Sequence, residues 1–186
     1  MAEAMIGILR VPVLLLVGWF VLPSTSLAHR LDEYLQATLV TIEPGEIRLQ
    51  INLTPGVDVA EQVLSRIDRN RDGVISTNEA TAYATLLMRD LSLRLDQRQV
   101  ELKLTSSNFP ASTELRTGLG IIQIELSAII GSLPAGAHTL DLENRHLRTL
   151  SVYLFNAAQP TSATVHVTRQ KRNKTQSTGE IEFNID

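Results

Sequence analysis

The sequence predicts an α+β fold: a mainly antiparallel, β-sandwich-like domain with one helix–loop–helix inserted into it. Three observations carry this. Short runs of alternating apolar and polar residues recur along most of the chain, separated by Gly, Pro and Ser clusters at 118–120, 131–136 and 159–162. Between residues 58 and 91 the apolar period changes from two to between three and four. At the centre of that segment lies a polar stretch of twelve residues.

The first 28 residues read as an export signal rather than as part of the fold. Arg10 ends a short n-region, and Val11 to Leu22 is an apolar run of 12 residues, too short to span a hydrocarbon core as a helix. Pro23 breaks the run, and Ser26 and Ala28 supply the small residues of a cleavage site before His29. The expected mature chain is 29–186, periplasmic or secreted, with no transmembrane segment after cleavage. It contains no cysteine, which excludes disulfides, zinc fingers, iron–sulfur clusters and thiol catalysis. A bound metal is then the more plausible staple for an exported domain. The net charge of −3 carries no basic excess of the kind that marks a nucleic-acid binder.

The first strand is expected over 34–42, with Leu35, Ala37 and Leu39 on its apolar face. Glu43-Pro44-Gly45-Glu46 is a type II turn by its Pro and Gly positions. The next strand puts Ile47, Leu49, Ile51 and Leu53 on one face and Arg48, Gln50 and Asn52 on the other. A helix follows, with Val59, Val63 and Ile67 in one stripe and Asp58 and Glu61 as a capping box. A second runs from about Thr77 to Leu91, presenting Ala80, Tyr83, Ala84, Leu87 and Leu91. Alternation then resumes at Leu91-Leu93-Leu95, turns at Asp96–Gln99, and continues at Val100-Leu102-Leu104. Later strands are expected around Ile122–Ala128, His138–Leu142, Val152 and Leu154, Val165–Val167 and Ile181–Ile185. Parity places His138 on an apolar face and His166 on a polar one. Arg169, Lys171, Arg172 and Lys174 read as the solvated end of a hairpin.

The polar stretch is Asp68-Arg69-Asn70-Arg71-Asp72-Gly73-Val74-Ile75-Ser76-Thr77-Asn78-Glu79. It fits the pattern D-x-[DN]-x-[DN]-G-x₅-E without a gap. Ca²⁺ is a hard cation that takes six to eight oxygens. Asp68, Asn70 and Asp72 each offer one side-chain oxygen, Val74 its carbonyl, Ser76 a contact through water, and Glu79 both carboxylate oxygens. Gly73 permits the sharp turn, and Ile75 docks the loop on the core.

This segment, with its flanking helices at 58–92, resembles the EF-hand family. The resemblance implies Ca²⁺ as the bound ion. No second loop is present in the sequence: Asp90–Glu101 has Arg94 at the fifth position, and a loop starting at Asp32 would have Tyr34 at the third. The hand is therefore alone, or paired with one from a second copy or an envelope protein. Arg69 and Arg71 inside the loop argue against tight binding, and the expected Kd lies in the extracellular range of about 10⁻⁴–10⁻³ M. A lone hand favours a structural ion over a sensor, since the sensor output is the opening of paired helices.

Two weaker readings accompany this one. His29 freed at the mature N-terminus could chelate copper or nickel, as in the periplasmic copper-binding β-sandwich proteins it is similar to. The mature start, HRLDEYLQATLVTIEPGEIRLQINLTPG, is similar to extracytoplasmic regions of hydrogenase/urease-accessory-type metal permeases, which implies an accessory or interaction module for a metal transporter. No GxSxG, HExxH or Gly-rich phosphate loop is present, and no enzymatic activity is expected.

Overall fold

A computed structural model describes residues 32–186, so the expected export signal and His29 lie outside the described residues. The described chain runs β1 (Tyr34–Glu43), β2 (Gly45–Pro55), α1 (Ala60–Ile67), α2 (Thr77–Arg89), β3 (Leu91–Leu95), β4 (Arg98–Gln99), β5 (Lys103–Asn108), α3 (Ser112–Arg116), β6 (Ile122–Gly131), β7 (Gly136–Asn144), β8 (Ser151–Ala157), β9 (Val165–Arg172) and β10 (Thr178–Ile185). The strands make two sheets of five, ordered β5-β6-β2-β1-β8 and β4-β3-β7-β10-β9. β1 and β8 pair in parallel, and the other pairings are antiparallel. The chain is thus mostly β, sandwich-like, with three helices among the described residues. The inner faces of both sheets contribute to one core, in which Ile47, Leu49, Ile51 and Leu53 join Leu140, Leu142, Ile181 and Phe183. Each such buried side chain contributes about 1.5–3 kcal/mol.

The β1–β2 hairpin turns at Pro44-Gly45, with Glu43 opposite Glu46 and Gly45 at φ +82°, as a type II turn requires. β2 buries the expected face. β1 buries the other one: Tyr34, Gln36, Thr38, Val40 and Ile42 point inward, while Leu39 is exposed. Register with β2 enforces this, because Val40 lies opposite Leu49 and Ile42 opposite Ile47. The inward Gln36 is tolerated because three partners satisfy its amide. β8 likewise buries Tyr153 and Phe155 rather than Val152 and Leu154.

The expected strand at 100–104 divides. Asp96 and Gln97, both at positive φ, turn the chain between Leu95 and its partner Arg98, the geometry of a two-residue hairpin turn. β4 stays on β3, but β5 crosses to the other sheet and pairs with β6. The side chain of Gln170 accepts from Ala157 N at 2.9 Å and donates to Phe155 O at 3.1 Å, stitching β9 to β8 across the two sheet edges. The cations of the β9–β10 hairpin are paired along its length more than gathered at its tip: Arg169 meets Glu182, and Lys171 meets Glu180 and Glu182.

Beside that seam Gly179 faces Phe155 so closely that an added Cβ would lie 2.2–2.4 Å from three ring carbons. Gly179→Ala should therefore destabilise the protein by about 1–3 kcal/mol, the usual cost of overpacking. Thermal unfolding should show the midpoint lowered by several degrees, partly restored in Gly179→Ala/Phe155→Leu. An unchanged midpoint in the single variant would contradict this packing.

Candidate metal centre

The helix–loop–helix occupies the crossover from β2 to β3, that is, from one sheet to the other. α1 buries Ala60, Val63, Leu64 and Ile67. Its N-cap is Val59, without a side-chain cap, in place of the expected Asp58–Glu61 box. A backbone turn closed by Val59 N to Gly56 O leads the chain into the helix instead. Helical hydrogen bonding persists to Asp68, whose N–H reaches Leu64 O at 2.8 Å, and the chain then leaves the helix at ψ 83°. Arg71 at φ 62° and Gly73 at φ 83° fold the loop back. An added Cβ at Gly73 would meet nothing within 4 Å, so glycine is favoured there by its φ and not by space.

Asp68 is 5% exposed, at the inner end of the loop. Its Oδ2 accepts from Gly73 N at 2.9 Å, whereas its Oδ1 is buried without a hydrogen-bond partner. Asn70 Oδ1 accepts from Asp72 N at 3.0 Å, and Asn70 Nδ2 donates to Asp72 Oδ2 at 2.8 Å. Asp72 Oδ1 accepts from Val74 N at 2.8 Å. Val74 turns its side chain outward, 65% exposed, and Ile75 packs on the core. Glu79 Oε1 accepts from Arg69 N at 2.9 Å and Asn70 N at 3.4 Å, tying the start of α2 to the start of the loop. Its Oε2 accepts from Ser76 N at 3.0 Å and Ser76 Oγ at 2.7 Å, and Ser76 Oγ accepts from Glu79 N. Ser76 is therefore the N-cap of α2 in a capping box, a role that its spacing to Glu79 encodes but that the loop pattern obscures. The Ser76 hydroxyl, with the amides of Ser76, Asn70 and Arg69, holds the Glu79 carboxyl below its ordinary pKa.

Among the described residues no three acidic or imidazole side chains converge as a ready metal cluster. The loop gathers Asp68, Asn70 and Asp72 through its own amides and draws Glu79 across them, with most of their oxygens satisfied by N–H groups. Asp68 Oδ1 is the exception, and Asp68 and Asp72 line a cleft of about 420 Å³ between α1, the loop and α3. α3, which the sequence did not signal, buttresses this cleft. Ser112 Oγ donates to Gly73 O at 2.5 Å, Arg116 meets Glu61 at 2.6 Å, and Leu115 is fully buried.

The far side of α2 is anchored by a buried polar network that was also not anticipated. Tyr83 OH lies 3.0 Å from His146 Nε2 and 2.8 Å from Tyr34 OH. His146 Nδ1 lies 2.8 Å from Asp90 Oδ2 at the C-cap of α2. A neutral His146 satisfies every member: Tyr34 donates to Tyr83, Tyr83 to Nε2, and Nδ1–H to Asp90. Burial lowers the pKa of His146, against the pull of Asp90, while burial raises those of Tyr34 and Tyr83. His138 is the opposite case: its hydrogen bonds to Asp96 and to Pro134 O raise its pKa. His166 meets Asp186 at 2.8 Å. The three described histidines thus stand on three separate aspartates, and His29 lies outside the described residues.

Comparison with protein-family models and with curated proteins gave no match. Among the described residues no helix is long and apolar enough to cross a membrane.

The two buried histidines should separate in a pH titration followed by imidazole NMR, His138 titrating above and His146 below the free value of about 6.5. Stability linked to His146 is complete above about 6.5 and is lost as pH falls toward its lowered folded pKa. Stability linked to His138 is present below about 6.5 and is lost as pH rises through its raised folded pKa. Titration in the reverse order would contradict the network as described.

Proposed function

We propose that the chain is an exported calcium-binding module, with one loop of EF-hand type mounted on a β-rich framework and an ion whose role is structural. The observation that carries this is Asp68 Oδ1, a buried carboxylate oxygen without a partner at the first position of the loop. Burying such an oxygen unpaired is costly, and a cation compensates it. The donor set is all oxygen, which suits a hard cation. Asp68, Asn70, Asp72 and Glu79 would hold Ca²⁺ through side-chain oxygens, Val74 through its carbonyl and Ser76 through water. The ion would neutralise three carboxylates gathered on one loop.

A structural role is supported by how the loop is fastened. Ile75 is packed on the core, Ser112 holds the Gly73 carbonyl, and α2 is pinned at its far end by Asp90 and His146. A helix tied at both ends is poorly suited to swing open as a sensor does. The reading is of a binding module without catalysis of its own.

Thermal unfolding with Ca²⁺ and with chelator tests the proposal. An ion that binds the native state alone stabilises it by about 2.7 kcal/mol at a hundredfold excess over Kd. The midpoint of the wild type should rise by several degrees with Ca²⁺. Asp68→Asn and Glu79→Gln should lose most of that rise, and Val74→Ala should keep it because its ligand is backbone. An equal rise in wild type, Asp68→Asn and Glu79→Gln would place the ion elsewhere and refute the reading.

A further inference from the structure

A second cleft, of about 560 Å³, opens between the end of α1, the start of the loop and the outer face of α2. Arg66, Arg69 and Arg89 line it, together with Thr85 and the buried Tyr83. All three arginines are exposed, and no carboxylate lines the cleft. Among the described residues none of the three has a carboxylate within ion-pair distance, which is equally true of Arg71, Arg94, Arg98, Arg145 and Arg172. What sets Arg66, Arg69 and Arg89 apart is that they share one cleft. Of the acids on these elements, Asp90 is turned to His146, Asp68 accepts from Gly73 N, and Glu79 meets Arg69 through its backbone N–H and not its guanidinium. Arg66 and Arg89 lie in the last turns of α1 and α2, where a cation complements the helix dipole. That accounts for two of the guanidinium groups singly. It does not account for Arg69, which lies in the loop, or for three like charges around one concavity.

We propose that this cleft binds a phosphate group. Three guanidinium groups focus a positive potential in the cleft and favour a counter-anion there. A carboxylate has two oxygens and is satisfied by one planar guanidinium fork. Three forks match an anion with more than two oxygens and more than one charge, and a phosphate supplies both. The Thr85 hydroxyl lies on an exposed residue at the cleft wall, available as a further donor. The group can be carried by a soluble phosphate compound or by a lipid headgroup. None of the three arginines supplies an oxygen to the loop, but Arg69 lies in it and its N–H meets Glu79, so the test variants are placed at Arg66 and Arg89.

The test is run in chelator, so that the loop ion plays no part. Inorganic pyrophosphate is titrated calorimetrically into the protein, into Arg66→Gln/Arg89→Gln, and into Arg172→Gln, a control at the end of β9. The expected result is saturable one-to-one binding that weakens at least tenfold in the double variant and is unchanged in the control. Cosedimentation with vesicles containing phosphatidic acid, a phosphomonoester lipid, and with phosphatidylcholine vesicles forms the second arm. Binding to the phosphatidic acid vesicles alone, lost in the double variant, assigns the phosphate to a lipid headgroup. Pyrophosphate binding without vesicle binding assigns it to a soluble compound. Binding absent from both arms, equal weakening in Arg172→Gln, or succinate or a glutamate peptide binding as well as pyrophosphate would overturn the proposal. Matching circular dichroism and unfolding midpoints for the three proteins show that the comparison is between folded forms.

Discussion

His146 is the residue on which the junction of the two sheets and the helix pair depends. Its N–H goes to Asn144 Oδ1, its carbonyl receives Gln36 Nε2, Ser151 Oγ and Tyr153 OH, and its ring joins Asp90 to Tyr83. One buried residue thereby connects β1, the end of β7 and the start of β8 through its backbone, and α2 through its ring. Asn144 Nδ2 closes the circuit on Gln36 Oε1. A hydrogen bond of this kind adds only about 1 kcal/mol net, but each partner left unpaired costs about 1–3 kcal/mol. The network therefore acts through its completeness. It fixes which face of β1 turns inward and where α2 ends.

The loop inherits its shape from that anchoring. α2 starts at the Ser76–Glu79 box and ends at Asp90, so the framework sets the position of Glu79 relative to Asp68. α1 is held by its apolar stripe, and α3 holds the turn of the loop through Ser112. What remains adjustable is the local pattern in which carboxylates accept from loop amides. Within it, Asp68 Oδ1 stands without a donor. The site is thus a conventional oxygen-rich loop held in place by an unconventional support.

Much of this was legible in the sequence wherever the information is local. β2, β6, β7 and β10 alternate cleanly because one face of each meets the core, and the twelve loop residues are contiguous. β1 was misread because its inward positions include Gln36 and Thr38, polar residues whose partners are distant in the chain. β8 was misread because aromatic Tyr153 and Phe155 alternate with Val152 and Leu154, so hydrophobicity does not choose the face. The change of sheet between β4 and β5 has no compositional mark. α3 and the His146 network depend on contacts distant in the chain, such as Ser112 with Gly73 across 39 residues and Gln36 with His146 across 110, which no periodicity encodes. The arginine cleft is scattered in the same way, over positions 66, 69 and 89.

On the proposed reading a cation belongs in the loop and the framework holds the loop ready for it. Amide hydrogen exchange with and without Ca²⁺ reads both parts at once. Protection should rise in residues 68–79 and, through the Ser112–Gly73 hydrogen bond, in 111–118, while β2, β6, β7 and β10 stay as they were. Unchanged exchange across 68–79, or a rise spread evenly over both sheets with none concentrated at the loop, would contradict it.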